Sequence, residues 1–243
     1  MDGAFNIGKL KNIGFEIACK KDKYDHFIFS DIDMIPNYDL LSYYQKKFEI
    51  PVTLAATGTR YGSINKISGK PFTGGALSMT KKIFEKINGY PNNMRGWGGE
   101  DDCLLIRLVK NKYYKLGYPK QGRVIDIEED EKGKQLAVKE KLKKLNTNKA
   151  KENLKLEKLL LDIDTWDKNG LNNLDYKIEK THKINVNITH INVDLLYKEE
   201  EIKYPFLFPK QKIFQNQHEY SKFKIETKNK LVEYYHQIII EKI

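Results

Sequence analysis

The sequence predicts an α/β fold, in which the strands of a sheet alternate with helices along the chain. Two observations support this class. Short apolar runs at 27–29 and 51–56 have the length of buried strands. Apolar residues recur at helical spacing at 7–19 and 100–110, on either side of these runs. Because ligands of such sheets bind beyond the carboxyl ends of strands, the residues that follow each run are the first candidates for a site.

Each element is predicted from a local pattern, in chain order. A helix at 7–19 precedes the run at 27–29, which we expect to be a buried strand of a parallel sheet. A short strand at 51–56 is followed by a polar loop at 57–70. A helix at 80–87 then ends at Asn88 and Gly89, a typical C-terminal signal, and Pro91 follows.

The second half of the chain has a more charged pattern. A helix at 100–110 and a strand at 123–127 precede a charged helical insertion at 131–165, with possible contacts at Leu142, Leu145, Leu154 and Leu159. The alternating sequence KIEKTHKINVNITHINV predicts a hairpin within 176–193, and a terminal helix is expected at 228–241. We expect Tyr234 and Tyr235 to serve packing, and Cys103 to be a small buried residue.

Composition narrows the classes of function. The 243 residues are 40% hydrophobic, without an apolar run of membrane-spanning length or a signal-type N-terminus. Two cysteines make no disulfide framework, so we expect a cytoplasmic protein. Much of the net charge of +10 comes from 131–160, with ten Lys and four Glu but no Arg or aromatic residue. This pattern favours a solvated helical face over a nucleic-acid-binding surface.

The segment GWGGEDDCLLIRL, residues 96–108, is the strongest candidate for a site. Its acids occupy the first turn of the predicted helix, where they can act simply as helix caps. Helix capping does not explain Gly96, Gly98 and Gly99, which indicate positive φ or a close approach to the backbone. A Trp face beside carboxylates is typical of sites that hold sugar rings. The pattern therefore favours a carbohydrate site.

The segment SDID places Asp31 and Asp33 directly after the strand at 27–29. On an extended chain, residues two apart point to the same side, so both carboxylates could face one cation. Mg²⁺ and Mn²⁺ prefer oxygen ligands and keep coordination positions for water and phosphates. A site for a metal-bound nucleotide or nucleotide-sugar is a plausible use of this motif.

Five strings in one order resemble the β-1,4-galactosyltransferase family, glycosyltransferase family 7: FNIGKLKNIGF, YDHFIFSDIDMIPNYD, FTGGALSM, INGYPNNMRGWGGEDD and NGLNNLDYKI. The resemblance spans about residues 3–194. It implies a GT-A fold, with a mixed sheet flanked by helices. It also implies inverting transfer of a hexose or N-acetylhexosamine from a UDP-sugar to an acceptor hydroxyl of a carbohydrate or glycoconjugate. The cation in this family is usually Mn²⁺, and Mg²⁺ is the alternative. We expect a domain at 1–195 that contains the 131–165 insertion, and a C-terminal appendage at 196–243.

The resemblance also implies roles for the acids and the aromatic residue of GWGGEDD. Asp101 would be the general base, and Glu100 would bind sugar hydroxyls. Asp102 would contact the acceptor, and Trp97 would stack near both sugars on a mobile loop. Because Asp101 lies at a helix N-terminus, we expect it to stay ionised near neutral pH.

For the donor and the metal, the resemblance implies that Asp33 is a ligand of the cation and that Asp31 supports donor binding. A second ligand falls near 126–129, where Asp126 or Glu129 could supply oxygen. The remaining predicted binding positions line the donor pocket or form the closing loop: Phe5, Phe72, Gly74, Gly75, Gly98 and Gly99.

Several departures from the family pattern keep a second hypothesis open. The FN segment begins at residue 5, so we expect the first strand unit of the family to be absent from this sequence. Ile7 stands where the family usually has Arg. His26 and Gln45 stand where secreted members have paired cysteines. The alternative is a catalytically degenerate, carbohydrate-binding relative.

Overall fold

The computed structural model describes residues 5–58, 62–63, 71–96, 98–127, 149–208 and 214–243. Within these residues the α-helices are α1 (Ile7–Lys21), α2 (Tyr38–Tyr44), α3 (Lys81–Lys86), α4 (Glu100–Lys110), α5 (Lys149–Thr165), α6 (Tyr197–Lys203) and α7 (Gln217–Tyr235). The strands are β1 (His26–Ser30), β2 (Met34–Pro36), β3 (Val52–Thr53), β4 (Thr57–Gly58), β5 (Gly62–Ser63), β6 (Ala76–Thr80), β7 (Lys115–Tyr118), β8 (Val124–Asp126), β9 (Lys177–Lys183), β10 (Thr189–Asp194) and β11 (Ile239–Lys242).

The central sheet is mixed and has the strand order β1-β6-β3-β7-β11. Strand β6 runs antiparallel to both β1 and β3, whereas β7 runs parallel to β3 and β11. The prediction that 27–29 belongs to a parallel sheet is therefore wrong: Phe27 faces Met79 in an antiparallel ladder. An apolar run predicts that a strand is buried, but it does not predict whether the neighbouring strand is parallel or antiparallel.

A second sheet lies beside the first and has the order β2-β8-β4-β5. Its β2–β8 pair is antiparallel and places Met34 opposite Asp126. Because β2 follows the end of β1 after a short turn, this pair brings the end of β8 to the turn that contains SDID.

Several helices begin at a residue whose side chain caps the first turn. Asn6 accepts a hydrogen bond from the Lys9 amide at the start of α1, and Thr80 does so from the Ile83 amide at the start of α3. Helix α4 has no side-chain cap, and three acids occupy its first turn. Acids at these positions interact favourably with the helix dipole when they are ionised.

The main core packs α1, α3, α4, α5 and α7 onto one face of the central sheet. Phe15, Phe29, Phe84 and Leu104 are buried at its centre, together with the predicted small residue Cys103. Of the leucines predicted as contacts of the insertion, Leu159 is buried and Leu154 is partly buried, while Leu142 and Leu145 lie outside the described residues.

Buried polar bonds tie the INGYPNN and NGLNN segments together. The Asn12 amide donates to the Tyr90 carbonyl at 2.7 Å, and the Tyr90 amide returns a bond to Asn12 Oδ1 at 2.8 Å. Asn92 donates to Asn169 from its backbone and to Asn173 from its side chain, each at 2.9 Å. These bonds fix the loop that leads into GWGGEDD, although Asn173 Nδ2 has no hydrogen-bond partner among the described residues.

The last part of the chain belongs to this same core. Leu231 and Tyr235 of α7 are buried in the main cluster, and β11 forms one edge of the central sheet. The terminal helix predicted at 228–241 is wrong at both ends, because α7 starts at Gln217 and ends at Tyr235. The isoleucines that follow favour a strand, since β-branched side chains fit a pleated surface better than a helix.

The predicted hairpin is formed by β9 and β10, whose residues are mostly exposed. No helix in the described part of the chain is both long enough and apolar enough to cross a bilayer.

Candidate functional site

The candidate site lies where two loops of the central sheet meet the N-terminus of α4. The Asp31 amide, after β1, donates to the Gly75 carbonyl before β6 at 2.7 Å. Thr73 Oγ1 in the same loop donates to the Asp101 carbonyl at 2.9 Å. These two bonds bring together the SDID, FTGG and GEDD segments, which are far apart in the sequence.

The SDID segment is a turn. Strand β1 ends at Ser30, and the Met34 amide donates to the Asp31 carbonyl at 3.2 Å. The expectation that Asp31 and Asp33 share one side of an extended strand is therefore wrong in its reasoning, because the backbone between them is not extended. Ile32, at the tip of the turn, is 99% exposed.

Asp33 lies beside the end of β8, where the sequence places the second predicted metal ligand. The Ile127 amide donates to the Asp33 carbonyl at 3.0 Å, and Asp126 lies in register with Met34. The backbone thus brings Asp126 to the SDID turn, although its side chain and the whole of Glu129 lie outside the described residues. The described residues alone contain no cluster of three potential metal ligands. Carboxylate oxygens from these two segments fit the preference of Mn²⁺ or Mg²⁺.

Lys11 is an unpredicted member of the site. Its Nζ lies 3.0 Å from Asp31 Oδ1, and the two side chains are only 10% and 22% exposed. The same ammonium lies 5.4 Å from the centroid of the Tyr90 ring. This cation therefore balances an acidic site that would otherwise concentrate negative charge.

Asp101 is packed against the glycine loop before β6. Gly74 has no room for a side chain, because a Cβ there would overlap Asp101 Oδ2 and would lie 2.5 Å from Cζ of Phe72. Asp101 Oδ1 is buried, and no hydrogen-bond partner for it lies among the described residues. The carboxyl group is thus held in place while one oxygen remains available.

Burial is the main reason why the pKa of Asp101 is raised to about 8, and the negative charge of Glu100 adds to the effect. Lys11 opposes this shift but does not cancel it. This raised pKa contradicts the prediction that the helix N-terminus keeps Asp101 ionised near neutral pH. Desolvation beside other acids outweighs the dipole, whose effect is worth only about 0.3–1 kcal/mol at exposed positions.

Glu100, the first residue of α4, is also buried, and burial raises its pKa. Helix α1 packs close to it: a Cβ on Gly8 would lie 3.5 Å from Glu100 Cβ and 3.1 Å from Tyr90 Cβ. The residue that precedes the predicted base is thus fixed by its contact with α1.

The glycines of GWGG have the conformation that the sequence predicts. Gly96, Gly98 and Gly99 have φ values of 89°, 87° and 107°, in a region that favours glycine. The Gly96 amide donates to the Phe5 carbonyl at 2.7 Å, which links the predicted donor segment to this loop, whereas the Phe5 side chain is 67% exposed. Trp97 lies outside the described residues.

Asp102 is bound by two residues that the sequence did not assign to the site. The Tyr235 hydroxyl donates to Asp102 Oδ1 at 2.8 Å, and Lys155 Nζ lies 3.8 Å from Oδ2. Neither residue has a sequence signal for this role, because Tyr235 follows a packing pattern and Lys155 is one of many lysines in a charged helix.

Two family models match the chain. A model described as the N-terminal region of glycosyl transferase group 7 matches residues 1–46, and one described as the N-terminal domain of galactosyltransferase matches residues 63–130. Together these ranges contain the SDID, FTGG and GEDD segments of the candidate site.

Similar proteins include β-1,4-galactosyltransferase 1 of Mus musculus, 41% identical over 108 residues, or 44% of this chain. Another is β-1,4-galactosyltransferase 4 of Homo sapiens, 39% identical over 104 residues, or 43% of this chain. The matched segments span 26% and 29% of the lengths of these two relatives.

Solved structures share the fold. The catalytic domain of Drosophila β-1,4-galactosyltransferase 7 in complex with xylobiose superposes with a TM-score of 0.55 at 23% identity, over 86% of this chain and 81% of that one. A mutant of that enzyme in complex with manganese, UDP-Gal and xylobiose gives a TM-score of 0.52 at 22% identity, over 86% and 82% of the two chains. The chain is therefore similar in sequence to the β-1,4-galactosyltransferases of glycosyl transferase group 7, and it shares the mixed α/β fold of the solved structures.

Proposed function

We propose that this protein is an inverting glycosyltransferase that moves a hexose or N-acetylhexosamine from a UDP-sugar to an acceptor hydroxyl. The observation that carries this proposal is the environment of Asp101. One of its oxygens is buried without a partner among the described residues, its carboxyl group packs against Gly74, and its pKa is about 8. A general base is most effective when its pKa lies near the working pH.

In the proposed reaction, the acceptor hydroxyl gives its proton to Asp101 as its oxygen attacks the anomeric carbon of the donor. The bond from that carbon to the diphosphate oxygen breaks, and UDP leaves with the bonding electron pair. Attack on the face opposite the leaving group inverts the configuration. The rigid contacts of Asp101 with Gly74 and Thr73 hold the base in one position, which lowers the entropic barrier.

We assign the donor end of the site to the SDID turn. Asp33, with Asp126 or Glu129, would hold a divalent cation such as Mn²⁺, which would stabilise the charge that develops on the departing diphosphate. Lys11 pairs with Asp31 and keeps that carboxylate in one orientation beside the turn. Support for this assignment comes from the neighbouring structure in complex with manganese and UDP-Gal.

Calorimetric titration with UDP, with and without Mn²⁺, followed by single-turnover transfer from UDP-galactose and UDP-N-acetylhexosamines, tests the proposal. We expect UDP to bind in the presence of Mn²⁺ and transfer to depend on the metal. In the same assays Glu100→Gln should relax the selection of the sugar, and Trp97→Ala should weaken acceptor binding through lost stacking. A protein that neither binds UDP nor transfers sugar would contradict the proposal.

A carbohydrate-binding protein without catalysis is the second candidate, and the pKa of Asp101 favours it in one respect. With a pKa of about 8, this carboxyl group is mostly protonated at neutral pH, and a protonated carboxyl can bind a sugar but cannot accept a proton. Binding to a glycan array without heat on titration with UDP would support this candidate and exclude the transferase.

Cytoplasmic location and the absence of a nucleic-acid partner remain predictions from the sequence. Fractionation of cells that express the protein checks the first. The second would be contradicted by salt-sensitive binding to DNA or RNA that survives replacement of the lysines within 131–148 by glutamine.

A further inference from the structure

The carboxylate of Asp102 has a partner for each of its oxygens, and both partners come from the second half of the chain. Tyr235 lies at the end of α7 and Lys155 lies in α5. The matched family models cover residues 1–46 and 63–130, so neither partner belongs to the matched segments. The contacts therefore connect the shared site to a part of the chain that those models do not describe.

Tyr235 is held in place by the packing of its side chain and by the strand that follows it. The residue is 6% exposed within the main core, and the backbone that follows it joins the central sheet through β11. Burial raises the pKa of Tyr235, and the charge of Asp102 raises it further, so the hydroxyl stays protonated and can donate to the carboxylate. The position of Asp102 is thus set by a group that cannot easily move.

Lys155 extends this contact to the glycine loop. A Cβ on Gly98 would lie 3.0 Å from Lys155 Nζ, and one on Gly99 would lie 3.2 Å from its Cε. The lysine and aspartate side chains are 32% and 40% exposed, so a ligand can reach both. An ammonium donor and a carboxylate acceptor therefore stand side by side at the entrance to α4.

We propose that Tyr235 and Lys155 are positioning residues that orient Asp102 for acceptor binding. This inference rests on the proposed transferase function and extends it to the acceptor. An acceptor sugar with two neighbouring hydroxyl groups fits the pair: one hydroxyl donates to Asp102 and the other accepts from Lys155. Tyr235 acts through Asp102 and sets the direction in which that carboxylate points.

Steady-state transfer from UDP-galactose and Mn²⁺ to p-nitrophenyl glycosides tests this inference with Tyr235→Phe, which removes only the hydroxyl. We expect the acceptor KM to rise roughly 10- to 150-fold, the range for losing a hydrogen bond to a charged group. The kcat and the Kd for UDP should stay within about threefold of the parent values, since the donor end is unchanged. Tyr234→Phe, on the same helix and half-buried, is the matched control and should match the parent.

Lys155 provides an independent second variant, because its partly exposed side chain can be replaced without disturbing the core. Lys155→Met should raise the acceptor KM, and Lys155→Arg should restore much of the loss by returning the cation. If Tyr235→Phe does not fold, Lys155→Met and Lys155→Arg still test the inference.

The outcomes separate this inference from the function on which it rests. A parent protein that transfers no sugar overturns both. A parent that transfers sugar, with an acceptor KM unchanged in Tyr235→Phe and Lys155→Met, overturns only this inference, even if Tyr235→Phe lowers the melting temperature.

Discussion

The carboxylate of Asp101 lies directly against the backbone of Gly74, so that even a methyl group at position 74 would overlap its Oδ2 atom. This contact links the loop before β6 to the first turn of α4. It explains why a residue without a side chain stands at this position, and it makes Gly74 a sensitive point for both stability and transfer.

Gly74→Ala should destabilise the protein by about 1–3 kcal/mol, the usual cost of overpacking, and should lower transfer by displacing Asp101. Urea unfolding and single-turnover transfer measure the two effects. Gly14→Ala is the control, because nothing lies within 4 Å of a Cβ at that exposed position of α1. We expect the control to be more stable by about 0.5–1 kcal/mol, as for an Ala in place of Gly within a helix. Equal loss in both variants would contradict the steric argument.

Asp101→Asn should reduce transfer by roughly 10²- to 10⁴-fold, the usual contribution of a positioned base, with UDP and metal binding nearly intact. Acids that serve only as helix caps would instead cost about 1 kcal/mol of stability each and leave transfer unchanged. Thermal melts and single-turnover transfer on one preparation separate these outcomes. An Asp101→Asn protein that transfers at the parent rate would end the catalytic assignment.

Stability should also depend on the ionisation of Asp101. The pKa of Asp101 is about 8 in the folded protein, above the unfolded value of about 3.9, so the folded state binds the extra proton between these limits. Its contribution to stability is therefore present at low pH and is lost as pH rises towards 8. The melting temperature of the parent should fall relative to Asp101→Asn over this window. A constant difference between the two proteins across the window would contradict the raised pKa.

The rate of transfer should also depend on the ionisation of Asp101, because a base must be ionised to accept a proton. Transfer should therefore rise with pH while stability falls. We expect kcat/KM to rise with pH up to about 8. Glu100→Gln removes the neighbouring charge that raises the pKa of Asp101, and should move this rise to lower pH. An unshifted pH profile in Glu100→Gln would argue that another group titrates.

Asp33→Asn should increase the Mn²⁺ concentration needed for UDP binding, since a neutral amide oxygen replaces an anionic ligand. Metal titration at fixed UDP measures the shift. Asp39→Asn removes the same charge from an exposed position on α2 and should leave the titration unchanged. An equal shift of the metal titration in both variants would mean that the loss of one negative charge explains the effect. It would contradict the role of Asp33 as a metal ligand.

The buried ion pair of Arg107 and Asp162 should matter far more to stability than an exposed pair. Arg107 Nε donates to Asp162 Oδ2 at 2.9 Å, and both side chains are fully buried. Asp162→Asn should cost about 3–5 kcal/mol, because it leaves a buried cation without its counter-charge. Asp175→Asn, which breaks the exposed pair with Lys203, should cost at most about 1 kcal/mol. Urea unfolding compares the two variants directly.

Helix α4 could be predicted at both ends because local residues define it: glycines precede it, acids fill its first turn, and apolar residues recur behind them. The antiparallel direction of β1 could not be predicted, because an apolar run of three residues carries no information about its partner. For a similar reason, the sequence did not predict that Lys11, Lys155 and Tyr235 belong to the site. Their roles depend on contacts between distant segments, and each is an ordinary residue within its own helix.

The parallel pairing of β11 with β7 also affects how the protein folds. Ile239 pairs with Lys115, so one edge of the central sheet depends on two segments that are separated by about half of the chain. Such non-local pairings form slowly, because the entropy of closing a long loop is lost before the contacts are made. We therefore expect β7 to have an open edge during synthesis and early folding, when it is vulnerable to pairing with other chains. Aggregation during refolding should consequently increase with protein concentration.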